Sequence, residues 1–69
     1  MISAAVMTVE GLTDKESIER IKIALTSLPG VLGAKVIPEK KIVTVDFETE
    51  RVDVQELSRA IRAAGFLPA

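Results

Sequence analysis

The chain reads as an α+β open-faced sandwich, in which two helices cover one face of an antiparallel sheet in the order βαββαβ. Three observations predict this. Apolar alternation over residues 3–10, 31–37 and 42–47 marks strands, because side chains of a strand point to opposite faces with period two. Apolar residues at helical spacing follow Thr13 and Asp53. A shift of 36 residues then superimposes the two halves, pairing Met7 with Val43, Val9 with Val45, Ile18 with Val54 and Ile21 with Leu57. It also pairs Ala24 with Ala60, Leu25 with Ile61 and Leu28 with Ala64. Seven apolar positions in one register define two βαβ halves, the split-βαβ or ferredoxin-like arrangement, with right-handed crossovers.

Each element carries its own signals. In the first strand Ala5, Met7 and Val9 share a face. Gly11 and Leu12 lead into a helix start where Thr13 and Glu16 have the spacing of a capping box, with Asp14 at the first helical position, favourable to the helix dipole. The stripe Ile18, Ile21, Ala24, Leu25, Leu28 runs on to Pro29-Gly30, which ends the helix. Ala34 and Val36 mark one face of the second strand, Pro38-Glu39-Lys40-Lys41 forms a hairpin loop, and Val43, Val45 and Phe47 point inward from the third strand. Asp53 and Glu56 form a second capping box, with Val52 and Leu57 spaced as a hydrophobic staple. The second helix presents Val54, Leu57, Ala60, Ile61 and Ala64, and Gly65 stops it. Residues 66–69 suffice for a stub of a final strand.

Sixty-nine residues, 1–69, make a single domain, and at this size only about 60% of the unfolded surface is buried, so the core must be efficient. A hydrophobic content of 48% supplies that core and argues against disorder. Nine basic and ten acidic residues give a net charge of −1, and there is neither Tyr nor Trp. Such a chain lacks both the cationic surplus and the stacking platforms of a nucleic-acid binder. With no Cys and no His, disulfides, thiolate metal sites and the usual acid–base and nucleophilic constellations are all excluded. No enzyme is expected. No run of residues reaches membrane-spanning length and no signal peptide opens the chain, so a cytoplasmic protein is expected.

Taken together, Val9-Glu10-Gly11-Leu12-Thr13, Ile21-x-x-Ala24-Leu25, Pro29-Gly30-Val31, Ala34-x-Val36, Val43-x-Val45-x-Phe47 and Ala64-Gly65-Phe66 resemble the heavy-metal-associated domains. That family comprises small copper chaperones, mercury-binding proteins and the N-terminal modules of soft-metal ATPases. The resemblance runs from Val6 to Phe66. It implies a metal loop of the form M-T-C-x-x-C at the start of the first helix, where thiolates grip a soft ion and helix-end amides stabilise their charge. On that pattern Asp14 occupies the first cysteine position and Ser17 the second, and neither side chain has the softness that Cu(I) prefers.

Three readings of the turn follow. In the first, Thr13 caps the helix, Asp14 and Glu16 complement its dipole, and Ser17 faces solvent. In the second, Asp14, Glu16, Ser17 and Glu10 give a weak oxygen site for a hard cation, although they fall short of the 6–8 oxygens of a calcium cage. In the third, the turn survives as a docking surface made of Leu12, Thr13, Glu16 and Phe66. Phe66 lies where the family places an aromatic residue or a lysine beside its metal loop, as in the ATPase modules; its simplest role is to cover the end of the core beneath Leu12.

The expected function is that of a degenerate heavy-metal-associated-like domain, a protein-interaction or regulatory module related to metal-ion transport. No cofactor is expected beyond a weakly bound metal ion. The partners implied are a metal-transporting ATPase or another heavy-metal-associated domain. The alternatives are ion handling through oxygen ligands and a homo-oligomeric module that pairs through an open sheet edge. On the helices, Glu16 with Arg20 and Glu19 with Lys22 have the spacing of surface ion pairs. Lys35, Lys40 and Lys41 gather near the hairpin, a basic edge expected opposite the acidic turn, and Arg59 and Arg62 lie one turn apart on the second helix.

Overall fold

A computed structural model describes residues 1–68. The elements are β1 (Ile2–Glu10), α1 (Lys15–Thr26), β2 (Val31–Ile37), β3 (Ile42–Glu48), α2 (Val54–Ala63) and β4 (Leu67–Pro68). The four strands form one antiparallel sheet in the order β2-β3-β1-β4, the ferredoxin-like topology. Met7 of β1 lies directly opposite Val43 of β3. The repeat pairs those same two residues, so the approximate two-fold axis relating the halves passes between them.

The odd-numbered residues of the two central strands face the helices. Met7, Val9, Val43, Val45 and Phe47 are buried there with Ile21 and Leu25 of α1, Leu57 and Ile61 of α2, and Leu12, Val52 and Phe66 from the connections. Burying each large aliphatic side chain contributes roughly 2 kcal/mol. On β2 a bulge between Val31 and Gly33 shifts the alternation by one residue. Val31, Ala34 and Val36 can therefore all pack against the core in spite of their mixed parity.

One expected core residue lies elsewhere: Val54 is 49% exposed. The reason is a difference in helix length. The repeat makes Asp53 equivalent to Ser17, yet α1 begins at Lys15 while α2 begins at Val54. The first helix thus starts a full turn earlier than its counterpart. Val54 sits at the first helical position of α2, before the stripe has turned toward the sheet, whereas Ile18, one turn into α1, is half-buried. The staple behaves as expected, with Val52 and Leu57 both buried.

The hairpin residues 38–41 form a single 3-10 turn that Lys41 closes in the left-handed region at φ 56°. At the other end of the chain α2 terminates in a Schellman motif. The Phe66 amide donates to the Ile61 carbonyl at 3.1 Å and the Gly65 amide to the Arg62 carbonyl at 3.0 Å, with Gly65 at φ 96°. That motif turns Phe66 inward. No helix among the described residues is long and apolar enough to cross a membrane.

Candidate functional site

The turn between β1 and α1 leads into the extra helical turn that the second half lacks. Gly11, at φ 99°, reverses the chain, and the Thr13 amide donates to the Gly11 carbonyl at 3.0 Å. Leu12 is driven into the core, while Thr13 remains exposed. Beneath the turn lies Phe66, only 6% exposed, with its Cδ1 atom 3.2 Å from the point that a Cβ on Gly11 would occupy. Phe66 covers this end of the core beside Leu12, as expected, and it also forms the floor of the turn.

The helix cap belongs to Asp14, not to Thr13. Asp14 has extended backbone angles, φ −145° and ψ 174°, and its Oδ1 accepts the Ser17 amide at 2.8 Å. A capping box on Thr13 and Glu16 and a helical position for Asp14 are therefore both corrected by one residue. The carboxylate outcompetes the neighbouring hydroxyl because a charged acceptor makes the stronger bond to a helix-end amide. Asp53 of α2 repeats the device, its Oδ1 accepting the Glu56 amide at 2.8 Å, with Val52 before it excluding any rival cap.

Ser17 is half-buried, not a free solvent-facing hydroxyl. Its amide first, and then its hydroxyl, hold the Asp14 carboxyl below the usual carboxylate range; desolvation opposes them, and the charge of Arg20 adds a smaller pull in their direction. Glu16 reaches one turn forward along the helix to Arg20 at 3.7 Å, whereas Glu19 and Lys22 form no ion pair among the described residues. Glu10 turns to Lys41 Nζ at 3.4 Å.

That last contact reverses an expectation about charge. Because β1 and β3 are antiparallel, the hairpin carrying Lys40 and Lys41 lies at the same end of the sheet as the turn; the Lys41 carbonyl accepts the Val9 amide at 2.8 Å. The oxygens of Glu10, Asp14 and Glu16 are thus directed at three different donors, and the structure does not bring them together as a ligand set. Among the described residues no group of three or more His, Cys, Asp or Glu side chains is placed to hold a metal ion. A shallow cleft of about 460 Å³ opens between α1 and α2 at Ile23, Ala24, Leu28 and Ala60, and no residue of Gly11–Ser17 lines it.

The heavy-metal-associated domain profile matches residues 6–66, almost the whole chain. The chain belongs to this family. A copper chaperone CopZ from Staphylococcus haemolyticus is 34% identical over 61 residues, which span 88% of this chain and 90% of that protein. A solved CopZ metallochaperone superimposes with a TM-score of 0.95 at 27% identity, over 97% of this chain and all of the other. The N-terminal domain of a potential copper-translocating P-type ATPase from Bacillus subtilis, solved in its Cu(I)-loaded state, gives 0.92 at 28% identity, over 99% of this chain and 85% of the other.

For a heavy-metal-associated domain, then, this chain has the family's frame around a turn without a thiol. One contact of the turn is not legible in the sequence, and a second is legible only in part. The Glu10–Lys41 pair joins residues 31 apart and depends on strand register, which charge spacing does not reveal. The seating of Phe66 under Gly11 was signalled by Gly65 followed by an apolar residue, the pattern of a Schellman cap with its inward contact.

Proposed function

We propose that this chain is a heavy-metal-associated domain whose thiolate site has been lost, Asp14 and Ser17 standing where the family carries its two cysteines. It acts as a protein-interaction or regulatory module alongside metal-ion transport in the cytoplasm, not as an enzyme. The partner on this reading is a metal-transporting ATPase or a second heavy-metal-associated domain, and the docking surface is the turn formed by Leu12, Thr13 and Glu16 over Phe66. No cofactor is required.

One observation carries the reading: the residues at the two cysteine positions are bonded to each other, the Asp14 carboxylate serving as the cap of the Ser17 amide. With the Ser17 amide taken by an internal carboxylate and no thiol on the turn, this helix N-terminus lacks the groups that would hold a thiolate-bound ion. Its positive dipole end also disfavours a bare cation held by the remaining oxygens. The similarity to copper chaperones and to ATPase N-terminal domains supports the choice of partner.

Titration with Cu(I) and Zn(II), followed by competition with a chelator, tests the loss of the site. No stoichiometric binding is expected, and micromolar or tighter binding would refute the proposal. Docking is tested separately by adding the N-terminal domain of a copper-transporting ATPase to the isotopically labelled chain. Shifts confined to residues 11–17 and to Phe66 are expected; an unchanged spectrum removes this partner.

A further inference from the structure

β4 pairs only with Val9 and Glu10, so the outer edge of β1 from Ile2 to Val6 has no neighbouring strand among the described residues. The direction of its backbone groups follows from the register. Val9 donates to Lys41, and Thr49 donates to the Met1 carbonyl, so the odd residues of this segment are bonded to β3. In an antiparallel ladder the residues between them point the other way. The N–H and C=O groups of Ile2, Ala4 and Val6 therefore line the open edge, six groups in one row.

The two edges of the sheet differ in how they are protected. β2 carries the bulge at Val31–Gly33, a lysine at position 35, and prolines at 29 and 38 just outside it. Those are the devices that block edge-to-edge pairing. Residues 2–9 of β1 contain no charged side chain, no proline, no glycine and no bulge. Their solvent-side face is apolar, with Ile2 65% and Val6 66% exposed on either side of Ala4.

We infer that the open edge of β1 is an interaction surface for the β1 edge of a second copy of this chain, joined antiparallel about a two-fold axis through Ala4. That axis places Ile2 of each copy opposite Val6 of the other and pairs all six edge groups. A second copy fits because the segment is its own complement: it is uncharged throughout, and its free length is the same in both partners. β4 fixes the register further, since Leu67 and Pro68 already occupy the edge at Glu10 and Val9 and bar any overlap that extends there. The surface lies on a different part of the sheet from the turn, so it is independent of the docking proposed above.

Sedimentation equilibrium over a concentration series tests the inference. The mass of the wild-type chain is expected to rise from 7.4 kDa toward twice that value in the submillimolar range. Ala4→Glu sets two carboxylates opposite each other across the axis and should weaken association about tenfold or more. Ala4→Lys should weaken it less, because Asp46 lies beside Ala4 on β3 and partly screens the new charge. Mixing the two variants should restore a dimer of mixed composition. Ala4 is exposed, so both variants should fold, as circular dichroism would verify; Leu32→Lys on the β2 side should leave association unchanged. A monomer at every concentration overturns the inference, as does a dimer that Ala4→Glu leaves intact. A mixture that fails to associate when the wild type does overturns the axis through Ala4.

Discussion

Ser17 donates its backbone amide to the Asp14 carboxylate across 2.8 Å, which closes the first turn of α1 upon itself. The bond lies in a turn with no counterpart in the second half of the repeat, because α2 starts three residues later in the shared register. The two caps are nevertheless built alike, with extended aspartates at φ −145° and −120°. The first half therefore uses for its added turn the same ending that the second half uses without one. In each half the carboxylate satisfies one of the amides that the start of a helix leaves without an internal partner.

Replacing Asp14 with alanine should lower the unfolding midpoint, since among the described residues it is the one side chain that accepts from the helix start. Thr13→Ala should leave the midpoint unchanged, because Thr13 is exposed and caps nothing. The equivalent change at the other helix, Asp53→Ala, should cost about 1 kcal/mol in a urea titration. If Thr13→Ala proves the more damaging of the first pair, the cap has been assigned to the wrong residue.

Acid should weaken the protein through the same group. The Asp14 carboxyl titrates below its ordinary value of 3.8 because the Ser17 amide, then the Ser17 hydroxyl, favour its charged form. Its folded pKa is depressed, so its contribution is fully present above the unfolded value and is lost as pH falls through the folded one. Stability should thus decline as pH falls below the ordinary value and on through the depressed folded one. The decline should be shallower in Asp14→Asn, which has no proton to gain. Equal slopes for the two proteins would show that Asp14 takes no part.

The difficulty of reading this turn from sequence is instructive. The helix stripes and the alternations of the two central strands were legible because burial acts on every repeat of the period; Ile21, Leu25, Leu57 and Ile61 are all fully buried. The choice of cap was not, because Thr13 and Asp14 are adjacent and both are favoured N-cap residues. The Thr13–Glu16 spacing points to the wrong one of the two; the cap falls on Asp14, two residues after Leu12 is anchored in the core. Val54 was misplaced for a related reason. A shared register aligns stripes but carries no information on where each helix begins. The Glu10–Lys41 pair required the β1–β3 register, and the sequence offers that only after the sheet order is known.

Gly11 should tolerate no side chain. Its φ of 99° lies in territory that disfavours L-residues, and a Cβ there would meet the Phe66 ring at 3.2 Å. Gly11→Ala should cost about 1–2 kcal/mol from the backbone alone. The ring must also give way, so the aromatic resonances of Phe66 should move in the NMR spectrum. A neutral substitution with unmoved Phe66 signals would mean that the turn is not seated on the ring.

If the frame of a heavy-metal-associated domain persists around a lost site, restoring two thiols should restore binding. Asp14→Cys with Ser17→Cys places one sulfur at the cap of α1 and the other on its first turn, where the amide at position 17 that now faces the Asp14 carboxylate would stabilise a thiolate instead. The double variant should bind one Cu(I) and compete with a strong chelator, as the wild type should not. Each single variant should bind weakly or only by sharing the ion between two copies. Because the cap carboxylate is removed, the double variant should be less stable without metal and regain stability when loaded, so that its unfolding midpoint depends on Cu(I) concentration. Failure to bind in a folded double variant would mean that the loop has departed from the family's geometry as well as from its chemistry, and the proposed ancestry of the turn would fall with it.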